Sequence, residues 1–242
     1  MSSSPVTQFR LQKLHPAKIR TAIRRRWFEA RLSRLPLVEM PGLVDLGTTY
    51  GGWIVPAEAV EPSWVCYSVG IGGDISFDLE LIRRCNATVR SFDPVAGYVD
   101  DAITQASGEA GFSAHQAAIA TADGPIRMQV THDPQSRSVS SAGLYDSHEF
   151  VEVPGRTLAS LMEELGDDRI DLLKLDVEGS EYELLPTLDL PALGVKVFAT
   201  QLHHTGTVRD AHSLIAGLRN QGYEPVARRP SVKLTFVARH LS

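Results

Sequence analysis

The chain has few cysteines and no long apolar run, and both absences narrow the class of protein. Cys66 and Cys85 are too few for a disulfide framework, and no Cys-x-x-Cys or Cys/His cluster indicates a zinc site. No apolar stretch approaches the about 20 residues that a membrane-spanning helix needs. The first residues are basic and polar and lack the apolar centre of a signal peptide. We therefore expect a cytoplasmic protein.

The composition excludes a disordered or fibrous chain. Hydrophobic residues make up 43% and charged residues 22% of the 242 residues, which are ordinary values for a globular protein. A chain of this length can bury a sizeable core without disulfides or a structural metal. It suffices for one large domain or two small ones.

The charge is unevenly distributed, because a strongly basic N-terminus precedes an acidic chain. Residues 1–35 contain nine Lys and Arg residues and one acid, Glu29, a local charge of +8. The remaining residues carry −13, since the whole chain carries −5. Apolar residues recur at helical spacing between positions 16 and 35, which predicts a basic helix.

Two interpretations of this basic helix remain open. A helix packed on the acidic body is the favoured one, because charge runs usually form a solvated face. Trp27 and Phe28 beside arginines also fit a helix that lies on a membrane surface. No interleaving of aromatic and basic residues continues into the body, so we expect no nucleic-acid partner. We expect residues 1–43 to form a basic N-terminal segment and residues 44–242 the main domain.

From Trp64 onward, short apolar runs alternate with helical patterns, which predicts a parallel sheet with crossover helices. Residues 36–62 are expected to form loops with a short strand. The predicted strands are 65–69, 87–92, 112–119, 126–130, 170–175, 195–202, 223–227 and 232–238, and the predicted helices are 75–85, 158–165 and 211–221. The last two strands flank Arg228–Pro230 and predict an antiparallel hairpin.

Two predicted strand ends indicate an adenosine-binding site. The first strand is followed by Ser68-Val-Gly70-Ile-Gly72-Gly-Asp74, whose glycines allow a sharp turn and a close approach of the backbone to a ligand. Asp93 follows the next strand, where a carboxylate can accept both hydroxyls of a ribose. NAD and S-adenosyl-L-methionine (SAM) both fit these features. The third glycine of G-x-G-x-x-G is missing, which argues mildly against a dinucleotide.

Two further strand ends carry charged residues. Lys174, Asp176 and Glu178 alternate at the end of the strand 170–175, where a parallel strand should be apolar. Buried charges are costly unless they are paired, so this cluster indicates a functional role. Helix capping by Asp176 and a metal site that includes His203 of the next strand are the alternatives.

Residues 171–185, Asp-Leu-Leu-Lys-Leu-Asp-Val-Glu-Gly-Ser-Glu-Tyr-Glu-Leu-Leu, resemble the most characteristic motif of the FkbM-type SAM-dependent methyltransferases. The segment Tyr67–Phe77 resembles the cofactor loop of one branch of that family, and Phe92-Asp-Pro94 and Arg156-Thr-Leu158 also match. The similarity spans about residues 44–238. Two positions depart from the pattern, since Ser68 replaces an acid and Asp74 replaces a third glycine of many relatives.

The resemblance implies a Rossmann-like α/β fold of the class I methyltransferases, with a seven-stranded, mostly parallel sheet and a C-terminal antiparallel hairpin. It also implies SAM as the methyl donor and the transfer of a methyl group to a hydroxyl oxygen. The acceptor would be a small molecule or a carbohydrate, such as a sugar, a glycolipid or another secondary metabolite. The oligomeric state is left open.

Carried onto this sequence, the resemblance places Gly70 and Gly72 beside the cofactor and Asp93 at its ribose. Ser68 and Asp74 would face its methionine portion.

Asp176 would lie at the methyl-transfer centre beside His203, and either could be the base that draws the proton from the acceptor. Ser138, Ser140 and Ser141 could contact the acceptor, although a solvated loop is the favoured interpretation of that stretch. We expect no metal. An NAD-dependent oxidoreductase and a noncatalytic membrane-associated module are the alternative functions.

Overall fold

The structure, a computed structural model, describes residues 16–131, 137–143 and 147–241. The first fifteen residues of the predicted basic segment lie outside the described residues. In chain order the elements are α1 (Pro16–Leu32), β1 (Leu43–Leu46), β2 (Trp53–Pro56), β3 (Val65–Val69), α2 (Ser76–Cys85), β4 (Thr88–Asp93), α3 (Ala96–Gln105), β5 (Phe112–Gln116), β6 (Ala118–Ile119), β7 (Gly124–Val130), β8 (Val139–Ser140), β9 (Phe150–Arg156), α4 (Leu158–Leu165), β10 (Leu172–Leu175), α5 (Glu181–Leu184), β11 (Val197–Gln201), α6 (Val208–Asn220), β12 (Tyr223–Arg229) and β13 (Lys233–Ala238).

A seven-stranded sheet organises the protein, in the order β12-β13-β11-β10-β3-β4-β5. Its strands are parallel except β13, which runs antiparallel to both of its neighbours. This arrangement confirms the predicted α/β fold of the methyltransferase type with its C-terminal hairpin. The chain winds outward from β3 in one direction and from β10 in the other. Ligands of open α/β sheets bind at such a reversal of strand order.

The core has two layers because side chains of a strand alternate between the two faces of the sheet. Leu173 and Phe198 pack on one face, whereas Leu172 and Val197 pack on the other. All four residues of β10 are buried, as expected for a central parallel strand covered on both sides.

A smaller sheet with the order β6-β9-β7-β8 lies beside the main one. Strands β8 and β9 were not predicted, nor were helix α3 and strand β1. In β9 the acid Glu152 and the Pro154-Gly155 pair interrupt the apolar pattern, so the strand depends on its pairing with β7. Strand β1 pairs with β2 as an antiparallel hairpin, although one short strand was expected in residues 36–62.

Helix α1 attaches to the body by its C-terminal half. Phe28 and Leu32 are 3% and 0% exposed and, with Leu35, join the same core cluster as Leu173 and Phe198. No helix in the described part of the chain combines the length and the apolar character that crossing a bilayer requires.

We expect Leu32→Ala to lower the free energy of unfolding by about 2–5 kcal/mol, because a fully buried leucine is replaced by a cavity. The matched variant Ile23→Ala changes an exposed residue of the same helix and should shift stability by about 0.5 kcal/mol at most. Urea denaturation measures both. Equal effects of the two substitutions would contradict the packing of α1 on the core.

Candidate functional site

A cavity of about 900 Å³ opens at the point where the strand order reverses. Its floor is formed by the residues that follow β3, β4 and β10. The loop between β1 and β2, the small sheet and the start of β13 form the other walls. Small-molecule sites typically measure about 300–1,000 Å³, so the cavity has room for a cofactor together with part of an acceptor.

The glycine loop after β3 borders this cavity. Gly70 has a φ of +71°, and a Cβ there would lie 1.8 Å from the carbonyl oxygen of Asp176, so no larger residue fits. Gly72 has a φ of +56°, and apart from Gly72 and its two chain neighbours no described residue has an atom within 4 Å of the place its Cβ would take. The loop is therefore packed closely against the chain at Gly70, whereas Gly72 has open space beside it.

Asp93 lies beside the same loop at the end of β4. Its carboxylate accepts hydrogen bonds from the backbone N–H groups of Gly72, at 3.0 Å, and Val95, at 2.9 Å. Its side chain lines the cavity although the residue is only 5% exposed. Burial raises the pKa of Asp93, against the effect of these two hydrogen bonds and of the nearby Lys174 charge. Each carboxylate oxygen keeps a lone pair for a ligand hydroxyl.

Lys174, a residue of β10, connects the glycine loop to the sheet through a hydrogen bond. Its ammonium group donates a hydrogen bond of 2.6 Å to the carbonyl of Gly70, and the residue is 5% exposed. The buried Asp78 lies nearby and accepts a hydrogen bond of 2.6 Å from the Ser91 hydroxyl. Burial raises the pKa of Asp78, and the charge of Lys174 counteracts that rise.

Ser68 has a different environment from the other predicted cofactor residues. It is 1% exposed, its hydroxyl lies beside Asp78, and it does not line the cavity. The pairing of β3 with β10 places it opposite Lys174. The structure thus brings Gly70, Gly72, Asp74 and Asp93 to one cavity wall and leaves Ser68 underneath it.

Asp74 joins the start of α2 to the β1–β2 loop. Its carboxylate accepts hydrogen bonds from the Thr48 hydroxyl and from the backbone N–H of Ser76, the latter at 2.9 Å. Burial would raise its pKa, but the hydrogen bonds from Ser76 and Thr48 lower it below the ordinary value. Asp74 is therefore an anion on the cavity wall at neutral pH and also a support of the loop above it.

The strand β10 ends at Leu175, as predicted, so the alternation expected if the strand continued does not extend to Asp176 and Glu178. Glu178 has a φ of +49° and Gly179 a φ of +99°, which form a turn after the strand. This turn still places both carboxylates on the cavity wall. Asp176 Oδ1 is buried and has no hydrogen-bond partner among the described residues.

His203 lies behind this wall, 10% exposed, and three carboxylates surround it. Its Nδ1 hydrogen-bonds to Oε1 of the fully buried Glu181 at 2.8 Å. Its Nε2 lies 3.5 Å from Glu178 Oε2 and 3.8 Å from Asp176 Oδ1. Burial alone would lower the pKa of His203, but the Glu181 hydrogen bond and the three negative charges raise it to about 9. At neutral pH the side chain is therefore an imidazolium.

The same cluster contains donor atoms that could hold a metal ion. Ligand atoms of Asp176, Glu181 and His203 lie within 4.8 Å of one another. Imidazole binds a metal only in its neutral form. A cation at this place would have to displace the proton that the three carboxylates stabilise on His203.

The opposite wall contains residues that sequence reasoning did not identify. The Lys233 ammonium donates a hydrogen bond of 2.6 Å to the carbonyl of Tyr50 and lies 4.8 Å from the centre of the Trp53 ring. Arg229 donates to the carbonyl of Thr48 at 3.3 Å. Burial lowers the pKa of Lys233 to about 8. Only the basic residues around Arg228–Pro230 hinted at this wall, and they were interpreted as a hairpin turn.

The three serines that could contact the acceptor lie in two different environments. Ser138 and Ser141 line the cavity. Ser140 is fully buried in β8, and its hydroxyl donates a hydrogen bond of 2.6 Å to the carbonyl of Glu178. The segment is thus a short strand that holds the acidic turn.

The raised pKa of His203 predicts a pH dependence of stability. The folded protein binds this proton more tightly than the unfolded chain, so the stabilisation is complete below pH 6.5 and is lost as the pH rises through about 9. The contribution is on the order of 3 kcal/mol. Chemical denaturation of wild type and His203→Gln should show a stability difference at about pH 6 that shrinks by about pH 9.5.

The matched control is His212→Gln, which changes an exposed histidine of α6. Lys233 has a lowered pKa, so its own contribution to stability increases as the pH rises. This contribution is the same in wild type and in each variant, so it cancels in the difference between them. A pH-independent difference for His203→Gln would refute the imidazolium.

The sequence of this chain matches one family of known proteins. Residues 60–225 match the family model described as the methyltransferase FkbM domain. A search of the curated proteins gave no significant match.

Solved structures give distant similarities. The fibrillarin pre-rRNA processing protein of Methanococcus jannaschii has 8% identity and a TM-score of 0.45, with 74% of this chain and 68% of that chain covered. A candidate methyltransferase of Thermoplasma acidophilum has 11% identity and a TM-score of 0.40, with 84% of each chain covered. EvdMO1 has 14% identity and a TM-score of 0.39, with 89% of this chain and 48% of that chain covered. On the family match, which includes the glycine loop, Asp93, Asp176 and His203, the chain belongs to the FkbM methyltransferase family.

Proposed function

We propose that this protein is a SAM-dependent methyltransferase that methylates a hydroxyl group of a small molecule or carbohydrate. One observation carries the proposal. The same cavity of about 900 Å³ has the glycine loop and Asp93 on one side and the side chain of Asp176 on another. A cofactor site and a group able to attract a proton therefore face one space.

The residues at the cofactor end fit SAM. Asp93 has lone pairs available for the ribose hydroxyls, and the open space beside Gly72 lets a ligand lie against the backbone. SAM supplies a methyl group on a sulfonium centre, a positively charged and readily transferred form. The carboxylates of Asp74, Asp93 and Asp176 on the wall suit that positive charge.

The same features argue against a dinucleotide. A pyrophosphate needs free backbone N–H groups at the glycine loop. The N–H of Gly72 is already donated to Asp93, and the nearby carboxylates would repel phosphate oxygens. These observations favour SAM over NAD.

Asp176 is the base that the geometry favours. An imidazolium cannot accept a proton, so His203 is unsuited to that role at neutral pH. Its Nε2 lies 3.8 Å from Asp176 Oδ1, so the His203 side chain helps to hold that carboxylate in place. Asp176 would orient the acceptor hydroxyl and accept its proton, while the cavity walls align the acceptor oxygen with the methyl group.

We expect Asp93→Ala to weaken SAM binding about 10- to 150-fold, which corresponds to 1.5–3 kcal/mol for hydrogen bonds to a charged group. Isothermal titration calorimetry measures the affinity, and a parallel titration with NADH tests the alternative cofactor. Asp100→Ala, an exposed aspartate of α3, is the matched control and should bind SAM normally. Unchanged SAM affinity in Asp93→Ala, or tighter binding of NADH than of SAM, would refute the cofactor assignment.

We expect Asp176→Asn to retain SAM affinity and lower turnover by about 10²- to 10⁴-fold, the usual effect of losing a general base. The assay follows transfer of a labelled methyl group from SAM into an extract of the source cells. His203→Gln should cause a smaller loss, because it removes a positioning charge rather than the base. Near-normal turnover in Asp176→Asn would remove this residue from the chemistry.

A further inference from the structure

Helix α1 has two apolar faces, and the protein core covers only one of them. Phe28 and Leu32 point into the body. Ile23 and Trp27 are 62% and 52% exposed. They are four residues apart, so they are neighbours on one side of the helix, away from the side of Leu32.

Arginines flank this outer face. Arg20 and Arg26 are exposed and lie three residues before and after Ile23. Arg31 follows Trp27 by four residues, and its guanidinium lies 5.3 Å from the centre of the Trp27 ring. Glu29 is the one acid in the described part of α1, and it pairs with Arg25 at 2.8 Å. The outer face is therefore apolar and cationic.

A neighbouring groove of about 690 Å³ extends this surface to α6. Trp27, Arg31 and Arg34 form one side of the groove, and Arg209 and His212 belong to the other. Two elements that are distant in sequence thus present cations to the same region. Helix α1 itself adjoins the candidate active site, because Arg25, on the side of the helix opposite to Ile23, lines the large cavity.

We propose that the outer face of α1 docks on an anionic phospholipid bilayer, with Ile23 and Trp27 inserted between the headgroups. Exposed tryptophan and aliphatic side chains beside arginines are the composition of interfacial helices. Each Lys or Arg near an anionic membrane surface adds to the electrostatic attraction. This inference is independent of the proposed reaction.

Charge favours a bilayer over other occupants. Two copies of the chain that met through this face would bring their arginines together, and like charges repel. The residues after position 35 carry −13, so they would repel a nucleic acid that wrapped around the body. A planar anionic surface can instead contact α1 while the acidic body points away from it.

The distribution of tryptophans provides a direct assay in the full-length protein. Trp53 and Trp64 are each 1% exposed, whereas Trp27 is 52% exposed. Vesicles of phosphatidylcholine alone should leave the fluorescence unchanged. Vesicles with about 30% phosphatidylglycerol should shift the Trp27 emission to the blue, protect it from acrylamide and let brominated lipids quench it. High salt should weaken this binding, because it screens the charges.

Matched variants distinguish vesicle binding through α1 from nonspecific electrostatic attraction of the whole protein. Arg26→Gln with Arg31→Gln, and separately Ile23→Ser, should each weaken vesicle binding about 10-fold or more. The controls are Arg83→Gln with Arg84→Gln on α2 and Ile103→Ser on α3, which change exposed residues of the same kinds and should bind normally.

Several results would overturn the proposal. They are equal binding to neutral and anionic vesicles, equal losses in the α1 and control variants, absence of vesicle binding, and protection of Trp27 by dimerisation in vesicle-free solution. Preferential binding of Trp27 to nucleic acid over anionic vesicles would overturn it as well.

Discussion

The pairing of β3 with β10 is the constraint on which the rest of the site depends. The register places Val69 opposite Leu175, so the glycine loop and the acidic turn begin side by side. Gly70 then lies against the carbonyl of Asp176, in a space that no side chain could share. A one-residue slip would exchange the faces of every side chain on the strand and separate the glycine loop from the acidic turn.

Two buried cations partly offset the negative charge of the carboxylates in this arrangement. Lys174 supports the glycine loop through the carbonyl of Gly70 and lies near Asp78 and Asp93. His203 performs the same task for Asp176 and its neighbouring carboxylates on the other side of β10. An unpaired charge in a protein interior is very costly, so each cation depends on its acids as much as they depend on it. Because His203 is an imidazolium at neutral pH, it has no free lone pair with which to accept a proton.

Helix α1 links the site to the surface of the molecule. Phe28 and Leu32 join the core, Ile23 and Trp27 are exposed on the outer face, and Arg25 lines the cavity. Arg24 reinforces this position by donating to the carbonyl of Thr205, close to His203. The segment that composition marked as the most unusual part of the chain is therefore adjacent to the candidate active site.

The sequence by itself determined the α/β class, most of the central strands and five of the residues on the cavity wall, Gly70, Gly72, Asp74, Asp93 and Asp176. These follow from local patterns, since apolar runs and glycines after a strand have the same meaning wherever the chain folds. Only the tertiary structure decided that Ser68 points to Asp78, that Lys233 and Arg229 close the far wall, and that His203 carries a charge. Each of these depends on burial and on residues far away in the chain, and a linear sequence contains neither the solvent exposure of a side chain nor its distance to a distant carboxylate.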